Sequence, residues 1–415
     1  VDIVQIGFVN GKGDYGGAIT SKAKSLTLYN CSFINNLANY GAGVYQNGDR
    51  LSIENSVFTH NYAASKGGAV YANYTGKNSP LVVKSCKFYR NNVTNIGAAI
   101  YAECKKLDIE SSELSRNGGT TALYASNSSV LLRECNVSAN LGPNNMRQNG
   151  HVGGIGFDNF SAVIEECAVL GNKATYLDND ENFTQEYWGF GGSGGGIYLS
   201  HSNVTINDTS INENEAFTAG GIDVAESNLV VNRCSISNNT AQQVIIPEGK
   251  FNGQGGGMFM LNSVAFESNH ADNLSGAIAN SGQLTLIGAN KFLNNTAHNA
   301  GAIYNHEGCQ VKIKGTSYFI KNQADEERGA LWDDGISILN ECDITDNDAW
   351  FGGGIFSEGN AVVTINDGRI ERNHAAYNGG GIYNRGTVNR GWYSLAGNNP
   401  DDRFDDPFDD APIIQ

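Results

Sequence analysis

A short glycine phrase, Gly-Gly/Ala-apolar-aromatic, returns from one end of this chain to the other and limits what it can fold into more than any other feature. It reads Gly16-Gly17-Ala18-Ile19, Gly43-Val44-Tyr45, Gly67-Gly68-Ala69-Val70-Tyr71 and Gly97-Ala98-Ala99-Ile100-Tyr101. It weakens to Ala122-Leu123-Tyr124, then continues as Gly154-Ile155-Gly156-Phe157, Gly195-Gly196-Ile197-Tyr198, Gly220-Gly221-Ile222 and Gly256-Gly257-Met258-Phe259. The last copies are Gly276-Ala277-Ile278, Gly301-Ala302-Ile303-Tyr304, Gly329-Ala330-Leu331-Trp332, Gly353-Gly354-Ile355-Phe356 and Gly380-Gly381-Ile382-Tyr383. Most of these fourteen copies stand 20 to 30 residues apart, with longer steps before Ile155, Ile197 and Met258. Glycine at this density interrupts every candidate helix. A recurring period of this size marks a stacked solenoid.

Two further patterns fill the interval. One is apolar-x-apolar, as in Leu26-Thr27-Leu28, Leu51-Ser52-Ile53, Leu107-Asp108-Ile109, Val204-Thr205-Ile206 and Leu284-Thr285-Leu286. The other is a corner, apolar-x-x-Asn, with Phe leading into Asn36, Asn61, Asn91, Asn269, Asn295 and Asn322. Leu, Val or Ile leads into Asn117, Asn140, Asn172, Asn214, Asn239, Asn347 and Asn373. Three short strands per 25-residue turn describe one rung of a parallel β-helix, with rungs about 4.8 Å apart. The expectation is an all-β chain, a single right-handed parallel β-helix of about 14 rungs and roughly 65 Å, the hand following the crossover rule. Residues 1–15 read as an N-terminal strand or partial rung, 16–397 as the β-helix, and 398–415 as an acidic tail beyond rungs already complete without it.

The Gly-Gly-Ala-Ile and Phe-x-x-Asn phrases resemble the repeats of the chlamydial polymorphic outer-membrane protein family, over about residues 16–385. The resemblance implies a right-handed β-helical passenger domain of a surface adhesin. Stacking supports the motif independently. Asn is 53 of 415 residues, and in a stacked coil its amide can pass hydrogen bonds from rung to rung. The corner asparagines are therefore expected to form a structural ladder.

Cys31, Cys86, Cys135, Cys167, Cys234 and Cys342 all stand two residues before the apolar residue of the Asn corner, where Ser56, Ser112 and Thr209 stand in other rungs. They share one inward position. They read either as small core fillers or, for Cys135 and Cys167 in consecutive rungs, as a disulfide. Cys104 and Cys309 lie too many rungs apart to pair. No Cys/His cluster has metal-site spacing, and no cofactor or metal is expected. Asn-x-Ser/Thr occurs twelve times, including Asn73, Asn92, Asn127, Asn159, Asn182, Asn203, Asn207 and Asn273. These are candidate glycosylation sites of an extracellular or cell-surface protein.

Lys+Arg 27 against Asp+Glu 43 gives a net charge of −16, which argues against nucleic-acid or anionic-membrane partners. No stretch approaches the roughly 18 unbroken apolar residues of a membrane span. The opening Val1-Asp2-Ile3-Val4 reads as a processed or excised chain from which any signal peptide has gone.

Chemistry would have to sit on three edge insertions, 141–152, 173–193 and 241–254. The middle one carries Tyr176, Tyr187, Trp188 and Phe190 among acids, a candidate carbohydrate-binding surface that could also support glycosidic acid/base work. No Arg or Lys cluster accompanies those acids, as a polysaccharide lyase would need. No catalytic residue is assigned and the chain is read as non-enzymatic. Ile3, Ile6 and Phe8 at one end, and Trp392, Phe404, Phe408, Ile413 and Ile414 at the other, read as assembly contacts with copies of the same chain. The leading expectation is a structural subunit of an extracellular filament, appendage or surface layer. The alternatives are a single-rod adhesin and a polysaccharide lyase or glycosidase working at the 141–254 edge.

Overall fold

A computed structural model of the protein describes residues 1–73, 80–142, 153–159, 161–174, 192, 194–217, 219–241, 258–325 and 328–406. They fall into two compact units, Val1–Ser227 with Thr240–Gln242, and Asn228–Asn239 with Gln243–Gln415. Both are all-β, and no described residue is helical. Each is a parallel β-solenoid. The chain makes about 13 turns in all, close to the number of glycine phrases.

One coil of the first unit shows how the sequence folds locally. Its strands are Val44–Gln46, Arg50–Glu54, Val57–Thr59 and Tyr62–Lys66. Each pairs in parallel with the matching strand of the next coil, in the register Val44↔Val70, Leu51↔Leu81, Phe58↔Phe88 and Ala63↔Val93. The second unit repeats this, with Ile303↔Leu331↔Ile355↔Ile382 on one side of the coil and Phe292↔Phe319↔Ile344 on another. A coil thus has four strands rather than three. The extra strand follows the Asn corner and turns a single small residue inward, such as Ala38, Ala63, Ala297 or Ala349. One inward residue is too short a pattern to read as alternation, although Asn-x-Ala was there to be seen.

The interior is built from like residues stacked on like. Val44, Val70, Ile100, Ile155, Ile197, Ile303, Ile355 and Ile382 are fully buried, while Ile19, Ile222 and Ile278 are half-buried. Phe33 lies 4.4 Å from Phe58, and Phe58 4.8 Å from Phe88, in near-parallel stacks. Phe266, Phe292 and Phe319 repeat the stack in the second unit at 5.0 and 4.7 Å. Each buried side chain of this size contributes about 1.5–3 kcal/mol.

The asparagines cross-link the coils. Asn61 donates its backbone N–H and its Nδ2 to Asn91 Oδ1, at 3.2 and 2.9 Å, and a second Nδ2 hydrogen to the Phe33 carbonyl at 3.0 Å. Its own Oδ1 accepts from Asn36. The same bonds run from Asn36 to Asn172 and on to Asn214 in the first unit, and along Asn239, Asn269, Asn295, Asn322, Asn347 and Asn373 in the second. The ladder runs one step further than the sequence suggests, to Asn398, which accepts from Asn373.

One expectation needs correcting, and of the two readings of the cysteines the core-filler one matches the geometry. Residues 398–406 do not lie beyond complete rungs, because Arg403–Asp405 pairs in parallel with Ile382–Asn384 and Phe404 stacks on Tyr383 at 5.3 Å. Cys135 and Cys167 are free thiols, as are the other cysteines. Cys135 N–H donates to Cys167 Sγ at 3.4 Å. Inward side chains of successive parallel coils lie one above the other and point the same way, whereas a disulfide needs Cβ vectors that converge.

Candidate functional site

Most coils have one corner where the exterior is aromatic, with Thr20, Gly156, Asp223 and Ala279 as exceptions. The glycine phrase makes it. Gly41 has φ +57°, and a Cβ there would lie 2.4 Å from the Val44 carbonyl oxygen, so only glycine fits without strain. The bend brings the residue before it, Tyr40, against residues that follow the buried apolar position. Val44 points inward, so by alternation Tyr45 points outward.

In the first unit Tyr45, Tyr71 and Tyr101 form a cluster of their own, flanked by Tyr40, Ile96 and Tyr124. Tyr71 meets Tyr45 at 5.3 Å and Tyr101 at 5.0 Å, both edge-on, while Tyr101 and Tyr124 stack at 5.5 Å. Glu103 ties the cluster together by accepting from Lys66 Nζ at 3.1 Å, Tyr71 OH at 2.9 Å and Tyr101 OH at 2.6 Å. Burial pushes the Glu103 carboxyl up, but these three hydrogen bonds outweigh it and hold it below its usual range. Burial raises the Tyr71 and Tyr101 hydroxyls, and the Glu103 carboxylate adds to the rise. Tyr124 is pushed up to about 12 by burial. The open rim is Tyr15, 49% exposed and stacked on Tyr40 at 5.0 Å.

The second unit carries its own aromatic corner. Tyr304, Trp332, Phe356 and Tyr383 are buried together, with Leu274, Phe351 and Phe404 packed on them. Tyr304 and Trp332 stack at 3.8 Å, and Arg328 lies 4.0 Å over the Trp332 ring. Glu358 takes Arg328 at 3.4 Å and Arg385 at 3.3 Å, and Tyr383 OH donates to Asp406 at 2.6 Å. Burial pushes Tyr304 and Tyr383 up to about 12. The open rim here is Tyr377, 49% exposed, which stacks on Phe351 at 5.0 Å and meets Trp350 edge-on at 6.0 Å. Behind the corner an interior polar row runs from Asn280 to Asn305 at 2.8 Å and on to Asp333 at 2.7 Å. Asp333 Oδ2 is buried with no partner, and burial raises that carboxyl.

These corners, with both aromatic and charged groups on rigid strands, can hold a ligand against ring faces at their rims. The phrase itself displayed Tyr45, Tyr71 and Tyr101. What it could not display is that Tyr40 and Lys66 fold back onto them, as Phe351 does onto Tyr383 in the second unit. Tyr176, Tyr187, Trp188 and Phe190 lie outside the described residues, as do Asn182, Phe408, Ile413 and Ile414. Of the remaining sequon asparagines, Asn92, Asn127, Asn159 and Asn203 are exposed and Asn73, Asn207 and Asn273 half-exposed. Phe8 stacks on Phe33 at 4.9 Å, Ile3 is half-buried, Ile6 is 46% exposed, and Trp392 is 90% exposed.

Residues 55–73 match the Chlamydia polymorphic membrane protein (Chlamydia_PMP) repeat. That segment spans one Asn corner, Asn61, and one glycine phrase, Gly67 to Tyr71. No curated protein and no solved structure matches the chain. The repeat and the β-solenoid together fit a surface β-helical protein.

Proposed function

We propose that the chain is a non-enzymatic, extracellular or cell-surface protein that acts as an adhesin through the sides of its coils. The observation that carries this reading is the aromatic corner, backed in both units and open at Tyr15 and at Tyr377, which the half-buried Trp350 meets edge-on. Aromatic side chains on a fixed scaffold supply contact area at little entropic cost. The polar groups there are engaged with one another: the raised Tyr71 and Tyr101 hydroxyls cannot serve as bases near neutral pH, and Glu103 already accepts three hydrogen bonds. Glycans attached at the exposed sequons belong to the same reading. The test is binding to host cells or to a glycan array. Tyr377→Ser with Trp350→Ala should lose at least tenfold in affinity while the melting temperature holds, and unchanged binding would overturn the reading.

A filament or surface-layer subunit is the second reading, and Trp392 favours it. Its side chain is 90% exposed, on the strand Thr387–Ala396, which pairs only with Val362–Glu371 among the described strands. Light scattering decides between the two. A monomer at high concentration supports the adhesin, and concentration-dependent growth abolished by Trp392→Ser supports the filament.

A further inference from the structure

On parts of the described surface, charge is matched from coil to coil. Lys84 meets Glu110 at 2.7 Å, Lys87 meets Glu113 at 2.9 Å, and Lys173 meets Glu215 at 2.6 Å. At the turn just before the Asn corner of the first unit this matching fails. His60, Arg90 and Arg116 occupy that turn in consecutive coils, all exposed, with φ of 56°, 53° and 53°. The register Thr59↔Tyr89↔Ser115 sets Arg90 beside Arg116.

Both guanidiniums gather on one ring. Arg90 lies 5.0 Å and Arg116 5.9 Å from the Tyr89 centroid, Lys87 Nζ lies 5.3 Å from it, and His60 meets the ring edge-on at 6.4 Å. Arg116 also donates to Tyr89 OH at 3.4 Å. Among the described residues no carboxylate forms an ion pair with either arginine. The flanking coils place Asn35 and Ala139 at the same turn, so no acid comes from either side along it.

The second unit supplies the comparison. There Arg372 stands in the same turn, and Asp346 in the coil before takes it with two hydrogen bonds of 2.9 Å. Elsewhere the turn holds Asn10, Asn35, Asn238 or Asn294, a residue type that tolerates a left-handed backbone, or Gly171, Ala139, Glu213, Ser268 or Lys321. Two arginines there carry backbone strain and like-charge repulsion across adjacent strands, in a chain of net charge −16. Their contacts with Tyr89 return part of that cost to the fold, and both guanidiniums stay exposed without a carboxylate, free to take a ligand.

We propose that the His60–Arg90–Arg116 turn is a binding site for an anionic polysaccharide, whose carboxylate or sulfate groups the two guanidiniums take. The guanidinium fork matches such oxyanions in two-point contacts, and Tyr89 holds both forks in place from beneath. Adjacent coils lie about 4.8 Å apart, so two long arginine side chains can take neighbouring oxyanions of one densely charged sugar chain, and poly-glutamate is the peptide it is tested against. The site uses none of the glycine-corner residues, and its test is independent of the adhesin reading.

The experiment is titration of the full chain with dextran sulfate, polygalacturonate and neutral dextran, at low and physiological salt. One of the two anionic polymers should bind saturably, more weakly as salt rises, and neutral dextran should not bind. Binding confined to dextran sulfate assigns sulfate esters, and binding confined to polygalacturonate assigns uronates. Arg90→Asn with Arg116→Asn installs a residue this turn holds in other coils, as at Asn35 and Asn294, and should weaken binding at least tenfold while the melting temperature stays level or rises. Lys22→Gln with Lys24→Gln removes the same charge elsewhere and should leave binding unchanged. Absence of saturable binding to both polymers overturns the proposal, as does equal loss in the lysine control. Poly-glutamate competing as well as either polysaccharide overturns the ligand class.

Discussion

Asn398 donates both its backbone N–H and its Nδ2 to Asp402 Oδ1, at 3.0 and 2.9 Å. In every earlier coil of the second unit's ladder those two donors go to the asparagine of the next coil, as Asn373 does to Asn398. Asp402 therefore closes the second unit's ladder within its own coil. At the first unit's start, Gly11 N–H donates to Asn36 Oδ1 at 2.9 Å, and glycine stands where an asparagine would.

Asp402→Ala should destabilise the second unit by about 1–3 kcal/mol, the cost of leaving a nearly buried donor without its partner. Asn61→Ala should cost at least as much, since Asn36, Phe33 and Asn91 all lose a partner there. Chemical denaturation measures both. An unchanged midpoint for Asn61→Ala would mean that the ladder is ornamental.

Glu103→Gln gives a pH-dependent loss. The folded Glu103 carboxyl sits below its ordinary value, so its contribution is present above the unfolded value of about 4.3 and is lost as pH falls through the folded one. The variant should melt below wild type at pH 7, and the two should converge in acid. A constant gap across pH would point to packing rather than charge.

Asp333→Asn has the opposite sign. Burial raises the Asp333 carboxyl, so its ionisation opposes folding increasingly as pH rises above the unfolded value of about 3.9. Asparagine would continue the row of Asn280 and Asn305 without a buried charge. The variant should melt higher than wild type at pH 7, with the gain shrinking toward pH 4. A lower melting temperature at pH 7 would show that the carboxylate has a partner the fold depends on.

Thiol labelling tests the cysteine row. Burial pushes Cys86 up to about 12 and Cys104 up to about 11, so both are thiols at neutral pH. Cys309, half-buried, should react first with a maleimide in the native protein. All eight cysteines should react after unfolding without reductant. Six reactive thiols in that state would indicate one bridge.

The sequence alone determined the repeat and the interior. Stacking sets equivalent residues one above another, so Val44, Val70 and Ile100, or Asn61 and Asn91, are selected for the same surroundings and recur as words along the chain. Single inward alanines and the closing residues Asn398 and Asp402 escaped, because one position makes no pattern and a terminal coil breaks the word it ends. Contacts between faces were decided only by the tertiary structure. Tyr40 meets Tyr71 across a left-handed glycine turn and a coil boundary, and the guanidiniums of Arg90 and Arg116 both reach the ring of Tyr89. Neither neighbour relation is periodic in sequence, since coil length varies and each outward residue is free to differ. What lies side by side on the surface is therefore set by register, which exists only once the coils have stacked.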